Sequence, residues 1–496
     1  MDPSTPGRGW LLFRAALAVG LTVVFYAFSV ALALGLFAVA WWMMSGRDRV
    51  NGYLLVACIV GGITILWAVV PRWERFVPPG PRLTRERQPR LFALLESVAR
   101  AAGQEMPAEV YLAPDVNAGV TERGGLLGFG GRRVMILGLP LMAALRVEEF
   151  RGVLAHEFGH FHGGETRIGP WIYRTHEAIA RTVRTLTEAG SLLRFLFIGY
   201  AKAFNRITQA VSRRQELLAD RLAAAVAGAP AMASGLRRTA AAVSAFQPYF
   251  GTEVVPALSS GFRPPLAEGF GRFLGARPIE QSLDRFVDDL VKEERADPYD
   301  SHPPLRVRLE SLGNPDPPDA ASAGPVAATL LQELDVLEDA LLAAAFPGLK
   351  IPPAIPWSET AERVYLPHFR KIVAEDRVLL AGVTADGLAD TVSRPPGDTR
   401  WRRKAAAPAP QGPPKVATIA GAALVLHMVE RGWALRSEPG RDFALSRGEE
   451  SFFPFQEIGD LASGTTSAAG WRERCRALGI EGLPLESAPT KEPGTR

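Results

Sequence analysis

The alternation of apolar and polar positions divides the chain at about residue 76. From Ala15 to Met44 there are 30 consecutive residues without a charge, and from Gly52 to Val70 there are 19 more. A helix crosses a hydrocarbon core of about 30 Å with about 20 residues, so each run is long enough to span. Arg47, Asp48, Arg49 and Asn51 make a short polar turn between them. The pattern predicts a transmembrane helical hairpin over residues 1–76. Trp10, Trp41, Trp42 and Trp67 fall near the span ends, where indoles favour the interface. The first run is much longer than the roughly 7–15 apolar residues of a secretory signal.

Beyond residue 77 the period changes. Leu91, Leu94, Leu95, Val98 and Ala101 recur on one stripe and predict a helix over Pro89–Gly103. Strand-like runs follow at Glu109–Leu112 and Arg133–Leu137, with a glycine-rich hairpin or irregular loop between them. Helices are expected at about 139–145 and 147–163, then a long helical stretch through 170–226. Inside it, the uncharged run Phe195–Ala201 is too short to cross a bilayer. Leu192–Ile207 reads either as a helix on the membrane surface, with Arg194, Lys202 and Arg206 at the headgroups, or as a buried core helix. Residues 311–327, rich in Pro, Asp, Ala and Ser, mark a boundary, and 393–415 read as a flexible linker. Val416–Val429, 14 apolar residues that include His427, read as a core helix rather than a third span. Three regions result: the hairpin 1–76, a domain over 77–315, and a carboxy-terminal region 316–496. The fold class expected is mainly α (α+β) with a small β-sheet, followed by an extra α+β region.

Composition narrows the function. Hydrophobic residues make up 47% and charged residues 22%, so the bulk is globular rather than disordered. Lys+Arg is 56 against Asp+Glu 52, a balance that gives no support for a nucleic-acid partner. The two cysteines, Cys58 and Cys475, exclude a disulfide framework and a cysteine-rich metal site. Arg8, Arg14, Arg72, Arg75, Arg82, Arg85, Arg87 and Arg90 flank the hairpin on one side, and the turn carries only two arginines. The positive-inside rule then puts everything after residue 71 in the cytoplasm.

Of seven histidines, three lie within seven residues. His156-Glu157-Phe158-Gly159-His160 is HExxH inside a helical pattern. The i, i+4 spacing sets both imidazoles on one helix face, where they can reach one zinc ion. Glu157, beside the first ligand, is placed for general-base work on a water. A catalytic zinc needs a third protein ligand. The metzincin continuation fails, because Gly163 fits but position 166 is Thr. Glu216 in Arg213–Asp220 is the best candidate, and Glu165 is its competitor. Asp220 shares the face of Glu216 and could accept the free N–H of a zinc-bound histidine. His162, His176, His368 and His427 fit no site.

NAG at Asn117–Gly119, VLAHEFGH at Val153–His160, RRQELLAD at Arg213–Asp220 and SHPPLRVRLESL at Ser301–Leu312 occur in this order. With the amino-terminal hairpin they resemble the membrane zinc metalloproteases that include HtpX and the CAAX prenyl proteases. The resemblance covers roughly residues 77–312. It implies a gluzincin-like zinc metallopeptidase domain, with one Zn2+ per chain held by His156, His160 and Glu216. Glu157 would be the catalytic acid/base, Asp220 would support a ligand, and His302 and Arg306 would lie near the active site. It implies a protein or peptide substrate laid along an edge strand, here Arg133–Leu137 with Val134, Ile136 and nearby Asn117. It also implies an integral protein of a bacterial inner membrane, with the bilayer as partner and the catalytic domain cytoplasmic. Its substrates would be misfolded or surplus membrane proteins. Further spans between the zinc helix and the third ligand, usual in HtpX-type members, are not evident, and residues 328–496 have no counterpart. A membrane scaffold or sensor that retains the protease fold is the rival reading. The sequence does not specify an oligomeric state.

Overall fold

The computed structural model describes residues 8–46, 51–70, 76–123, 132–160, 169–293, 303–315, 324–392 and 415–489. The chain divides into two compact units, residues 1–243 with 284–347, and residues 244–283 with 348–496. The second unit thus takes in a stretch, 244–283, that the sequence pattern assigns to the middle domain.

The first unit begins with α1 (Arg8–Ser45) and α2 (Gly52–Val69), packed side by side. Among the described residues these two helices are long and apolar enough to cross a membrane, over Val19–Ser45 and Gly52–Val69. Asn51 caps α2, its side-chain oxygen accepting from the Leu54 N–H at 3.2 Å. A four-stranded sheet follows, with β1 (Arg82–Leu83), β2 (Glu109–Ala113), β3 (Ala118–Arg123) and β4 (Arg132–Gly138) in the order β1-β2-β4-β3. β2 and β4 are parallel, so a connection must cross over between them, and β3 lies within that connection. It returns antiparallel along β4, with Val120 opposite Met135 and Gly119 opposite Ile136.

This corrects one expectation. The sequence placed an edge strand at Arg133–Leu137, but β4 is paired on both sides. Val134 is fully buried and Ile136 half-buried, so neither borders an open edge. Among the described residues the edge strands are β1 and β3, and β3 lies beside the HExxH helix. β3 was missed because glycine and charge dilute its alternation, and an edge strand needs only one paired side. At the end of β4, Gly138 is obligatory. A Cβ there would lie 1.9 Å from the Asp115 carbonyl oxygen and 2.6 Å from that of Asn117. The close approach lets the Gly138 N–H donate to Asn117 O at 2.7 Å.

Helices α3 (Pro89–Ala101), α4 (Leu139–Ala144) and α5 (Val147–Gly159) cover the sheet region. α3 buries Leu91, Leu94, Leu95 and Val98 of the predicted stripe, whereas its fifth member, Ala101, is exposed at the end of the helix. The stretch expected to be one long helix is two, α6 (Gly169–Glu188) and α7 (Arg194–Ala227). The break is at Gly190, whose φ of +64° is a left-handed conformation that glycine adopts without steric cost. α8 (Ala229–Tyr249) follows. The division between the units falls within α8 and again within α11 (Arg277–Glu293). α12 (Leu305–Ser311) and α13 (Leu334–Ala345) complete the first unit.

The second unit contains α9 (Val255–Ser259), α10 (Leu266–Leu274), α14 (Leu366–Glu375), α15 (Leu388–Val392), α16 (Lys415–Glu430), α17 (Pro454–Ser463) and α18 (Ala468–Ala477). Its antiparallel sheet runs β5 (Ala434–Arg436), β6 (Ala444–Arg447) and β7 (Glu450–Phe452). α16 is the apolar run read as a core helix. It is buried from Ile419 through Met428, as expected for a helix apolar on every side. Its one imidazole, His427, places Nε2 3.2 Å from the Pro484 carbonyl, and burial pushes its pKa down.

Candidate metal centre

The candidate site is built where α5 crosses α7. The start of α5 is fixed by Glu149, which accepts from the Arg146 N–H at 2.8 Å and from Ser234 Oγ and Arg238 Nε at 2.5 and 3.0 Å. Phe150, Leu154, Ala155 and Phe158 are buried, so the helix cannot roll, and His156, Glu157 and His160 are held at its far end. The crossing is close because α5 offers a glycine. A Cβ on Gly159 would lie 2.9 Å from Cα and 3.0 Å from Cβ of Ala219. Ala219 is one turn past Glu216, so the glycine contact sets how near the carboxylate comes to the histidines. Gly159→Ala should push α7 outward, cost about 1–3 kcal/mol as overpacking does, and weaken metal retention. A denaturant midpoint and metal content unchanged from wild type would show that the crossing does not set the site.

His156 and His160 meet edge to face, with ring centroids 4.8 Å apart. His156 Nε2 lies 3.5 Å from Glu216 Oε2, and His160 Nε2 lies 3.6 Å from Glu216 Oε1. A tetrahedral ion with bonds of about 2.0–2.1 Å has donor–donor edges of about 3.3–3.4 Å. The two nitrogens and the carboxylate are therefore spaced to share one such ion. Glu157 contributes a carboxylate oxygen within 4.8 Å of both histidine nitrogens. The cluster is closed on one side and open on the other: the His156 side chain is 8% exposed and that of His160 is 32%.

The other nitrogen of His156 faces a buried ion pair. Nδ1 lies 2.9 Å from Asp220 Oδ1, and Asp220 has no exposed surface. Arg308, from α12, meets the same carboxylate with both arms, Nη2 to Oδ1 at 2.6 Å and Nε to Oδ2 at 2.8 Å. Its Nη2 also lies 3.8 Å from Glu216 Oε2. Both Nδ1–H and the guanidinium donate to Asp220, which fixes the tautomer and leaves Nε2 facing Glu216 and His160. Burial works against charge on Asp220, yet the bonds from Arg308 and His156 hold its carboxyl below the usual carboxylate range. Burial likewise pulls His156 down, but Asp220, Glu216 and Glu157 outweigh it and raise its pKa to about 9.

That shift has a sign. A histidine whose folded pKa lies above its ordinary value of 6.5 stabilises the fold below that value. In the metal-free chain the contribution should fade as pH rises from 6.5 through about 9. Chelator-treated protein should show a falling denaturant midpoint across this window, and His156→Gln should flatten it. A flat wild-type profile would contradict the geometry.

Arg308 is the residue that the sequence did not single out. Arg306, expected near the active site, is half-exposed and pairs with Glu310 at 2.8 Å one turn along. The signal was present in the helix period: 305, 308, 309 and 312 share a face, and Leu305 and Leu309 are buried. His302 lies outside the described residues. Asn117 is exposed just before β3. His176 is 3.2 Å from Thr208 Oγ1 and belongs to the packing of α6 on α7.

A helix bearing His-Glu-x-x-His is thus faced by a carboxylate from a second helix and flanked by a small sheet. Residues 85–316, somewhat under half of the chain, match the model of peptidase family M48, and this match supports a peptidase. No curated protein and no solved structure matches the chain.

Proposed function

We propose that the protein is a membrane-anchored zinc metalloendopeptidase that cuts protein segments at the cytoplasmic face. The observation that carries this is the convergence of His156 Nε2, His160 Nε2 and the Glu216 carboxylate at 3.5–3.6 Å spacing. Two imidazoles and a carboxylate form a donor set that suits zinc. Once bound, zinc supplies Lewis-acid polarisation of a carbonyl and of a water molecule. The chain does the rest. Asp220 and Arg308 lock His156 in the tautomer that presents Nε2. Glu157 takes the proton of the attacking water on its carboxylate and passes it to the leaving amine. The free edge of β3, beside α5, pairs with the backbone of an extended substrate, a mode that tolerates many sequences. Asn117, at the start of that edge, is carried toward the same substrate. The two apolar helices and the arginine asymmetry around them support an integral membrane protein with its catalytic domain inside. Misfolded or surplus membrane proteins are the substrates that fit an anchored enzyme of broad tolerance.

The test uses detergent-purified full-length chain. One zinc per chain is expected, with casein cleavage that stops on chelation and returns with zinc. A chain that binds no zinc, or cleavage indifferent to the chelator, would rule the proposal out.

A further inference from the structure

The register of β3 on β4 decides which way each residue of β3 turns its backbone. The Gly138 N–H donates to Asn117 O, so residues 117 and 138 form a hydrogen-bonded pair. Such pairs alternate along antiparallel strands, so Gly119 with Ile136 and Thr121 with Val134 are hydrogen-bonded pairs too. Ala118 and Val120 therefore turn their N–H and C=O groups away from β4, toward the outer edge. A segment added antiparallel along that edge bonds to Ala118 and Val120. Its residue opposite Gly119 then falls at a non-hydrogen-bonded site, where the two Cα atoms come to about 4.5 Å.

Neither backbone nor packing demands a glycine at position 119. Its φ is not left-handed, and a Cβ there would meet no atom within 4 Å. At Gly138, by contrast, a Cβ would strike backbone. Glycine weakens a strand interior, and one that the fold does not require marks the close approach of another chain. Directly opposite residues share a face, so Tyr111 of β2, Ile136 of β4 and Gly119 of β3 form one row across the sheet. Tyr111 is buried, Ile136 is half-buried, and the row ends bare at Gly119. Asn117 and Thr121, two positions to either side on the same face, are exposed and polar. The result is a notch at the sheet edge, with a partly uncovered isoleucine behind it and a polar residue on each flank.

We infer that Gly119 and Ile136 form a side-chain subsite that selects a large apolar residue, aromatic above all, at the substrate position paired with Gly119. The inference deepens the peptidase reading proposed above and rests on it, since it takes the β3 edge as the substrate's. The preferred chemistry follows from what the notch lacks. A large ring across from a strand glycine covers the bare backbone and reaches the next side chain in the row, here Ile136. A small or charged side chain leaves Ile136 as wet as before. Backbone bonds to Ala118 and Val120 read no sequence, so the rest of the segment stays tolerant while this one position discriminates. The notch also lies where a cut can follow, because β3 packs beside α5, the HExxH helix. Large apolar side chains are mostly buried in folded proteins. A subsite that requires one favours segments that have lost, or not yet gained, their fold.

The experiment maps cleavage sites by mass spectrometry in unfolded casein and in a mixed peptide library. It compares zinc-loaded, detergent-purified full-length wild type with Gly119→Ala and Gly119→Val. Wild type should show a large apolar residue at one fixed position relative to the cut bond. The large-over-small preference at that position should fall by about tenfold or more in Gly119→Val, the range over which a filled pocket discriminates, and partway in Gly119→Ala. Denaturant midpoints check that the variants fold, and if the valine variant does not, the alanine variant decides by the same ratio. Cleavage with no enriched position, or with the same preference in wild type and variants, overturns the subsite and leaves the peptidase standing. No cleavage by wild type overturns both.

Discussion

Glu157→Gln should retain its metal and lose cleavage by about 10²–10⁴-fold, the range over which a positioned general base acts. The amide keeps the size and the apolar stem of the glutamate, so the surround of Phe158 and Leu154 is undisturbed. What disappears is the capacity to take a proton. Neither His156, His160 nor Glu216 changes, so zinc content should match wild type. Metal assay and casein cleavage on the same preparation read both halves. Wild-type turnover in the variant would remove Glu157 from the mechanism, and loss of zinc would move it into the ligand set.

Arg308→Ala should carry the largest structural effect. It strips both arms from the Asp220 carboxylate, which is wholly buried. An uncompensated buried charge costs about 3–5 kcal/mol. The loss should also reach the metal, because His156 is oriented through Asp220, and such supporting partners are worth about 10–100-fold in affinity. Arg308→Lys should rescue only in part, since one ammonium cannot reproduce a two-armed bond. Arg306→Ala is the control: a solvent-exposed pair with Glu310 is worth about 0–1 kcal/mol. Denaturant midpoints and zinc titrations of the three variants decide the matter. Equal effects at positions 306 and 308 would contradict the geometry.

What the sequence made legible follows the strength of local signals. The apolar runs of α1 and α2, the stripe of α3 and the helix-compatible spacing of HExxH are repeated or sharp patterns, and each appears as its element. The pairing of Glu216 and Asp220 was readable as two carboxylates one turn apart on a face. What failed was non-local or diluted. Nothing in the strand-like run Arg133–Leu137 says that another segment will cover its second edge, and the masking strand β3 carries a glycine, a threonine and two charges. The break between α6 and α7 depends on one positive φ at Gly190 within otherwise helix-compatible sequence. Arg306 came from the resemblance, whereas the helix period, with Leu305 and Leu309 buried, puts Arg308 on the inner face. Residues 393–414 lie outside the described residues, so the linker expected there stays an expectation.

The centre draws its parts from three distant stretches of chain, His156–His160, Glu216–Asp220 and Arg308, the first and last separated by 152 positions. During synthesis the HExxH helix therefore leaves the ribosome long before its partners. At about 5–20 residues per second, the interval to Arg308 lasts on the order of ten seconds or more. For the first part of that time the nascent chain holds two histidines and a base without Glu216, and until Arg308 emerges the Asp220 carboxylate that orients His156 lacks its two-armed partner. The centre is therefore assembled in stages, and its full set of contacts exists only after the last of the three stretches has left the ribosome.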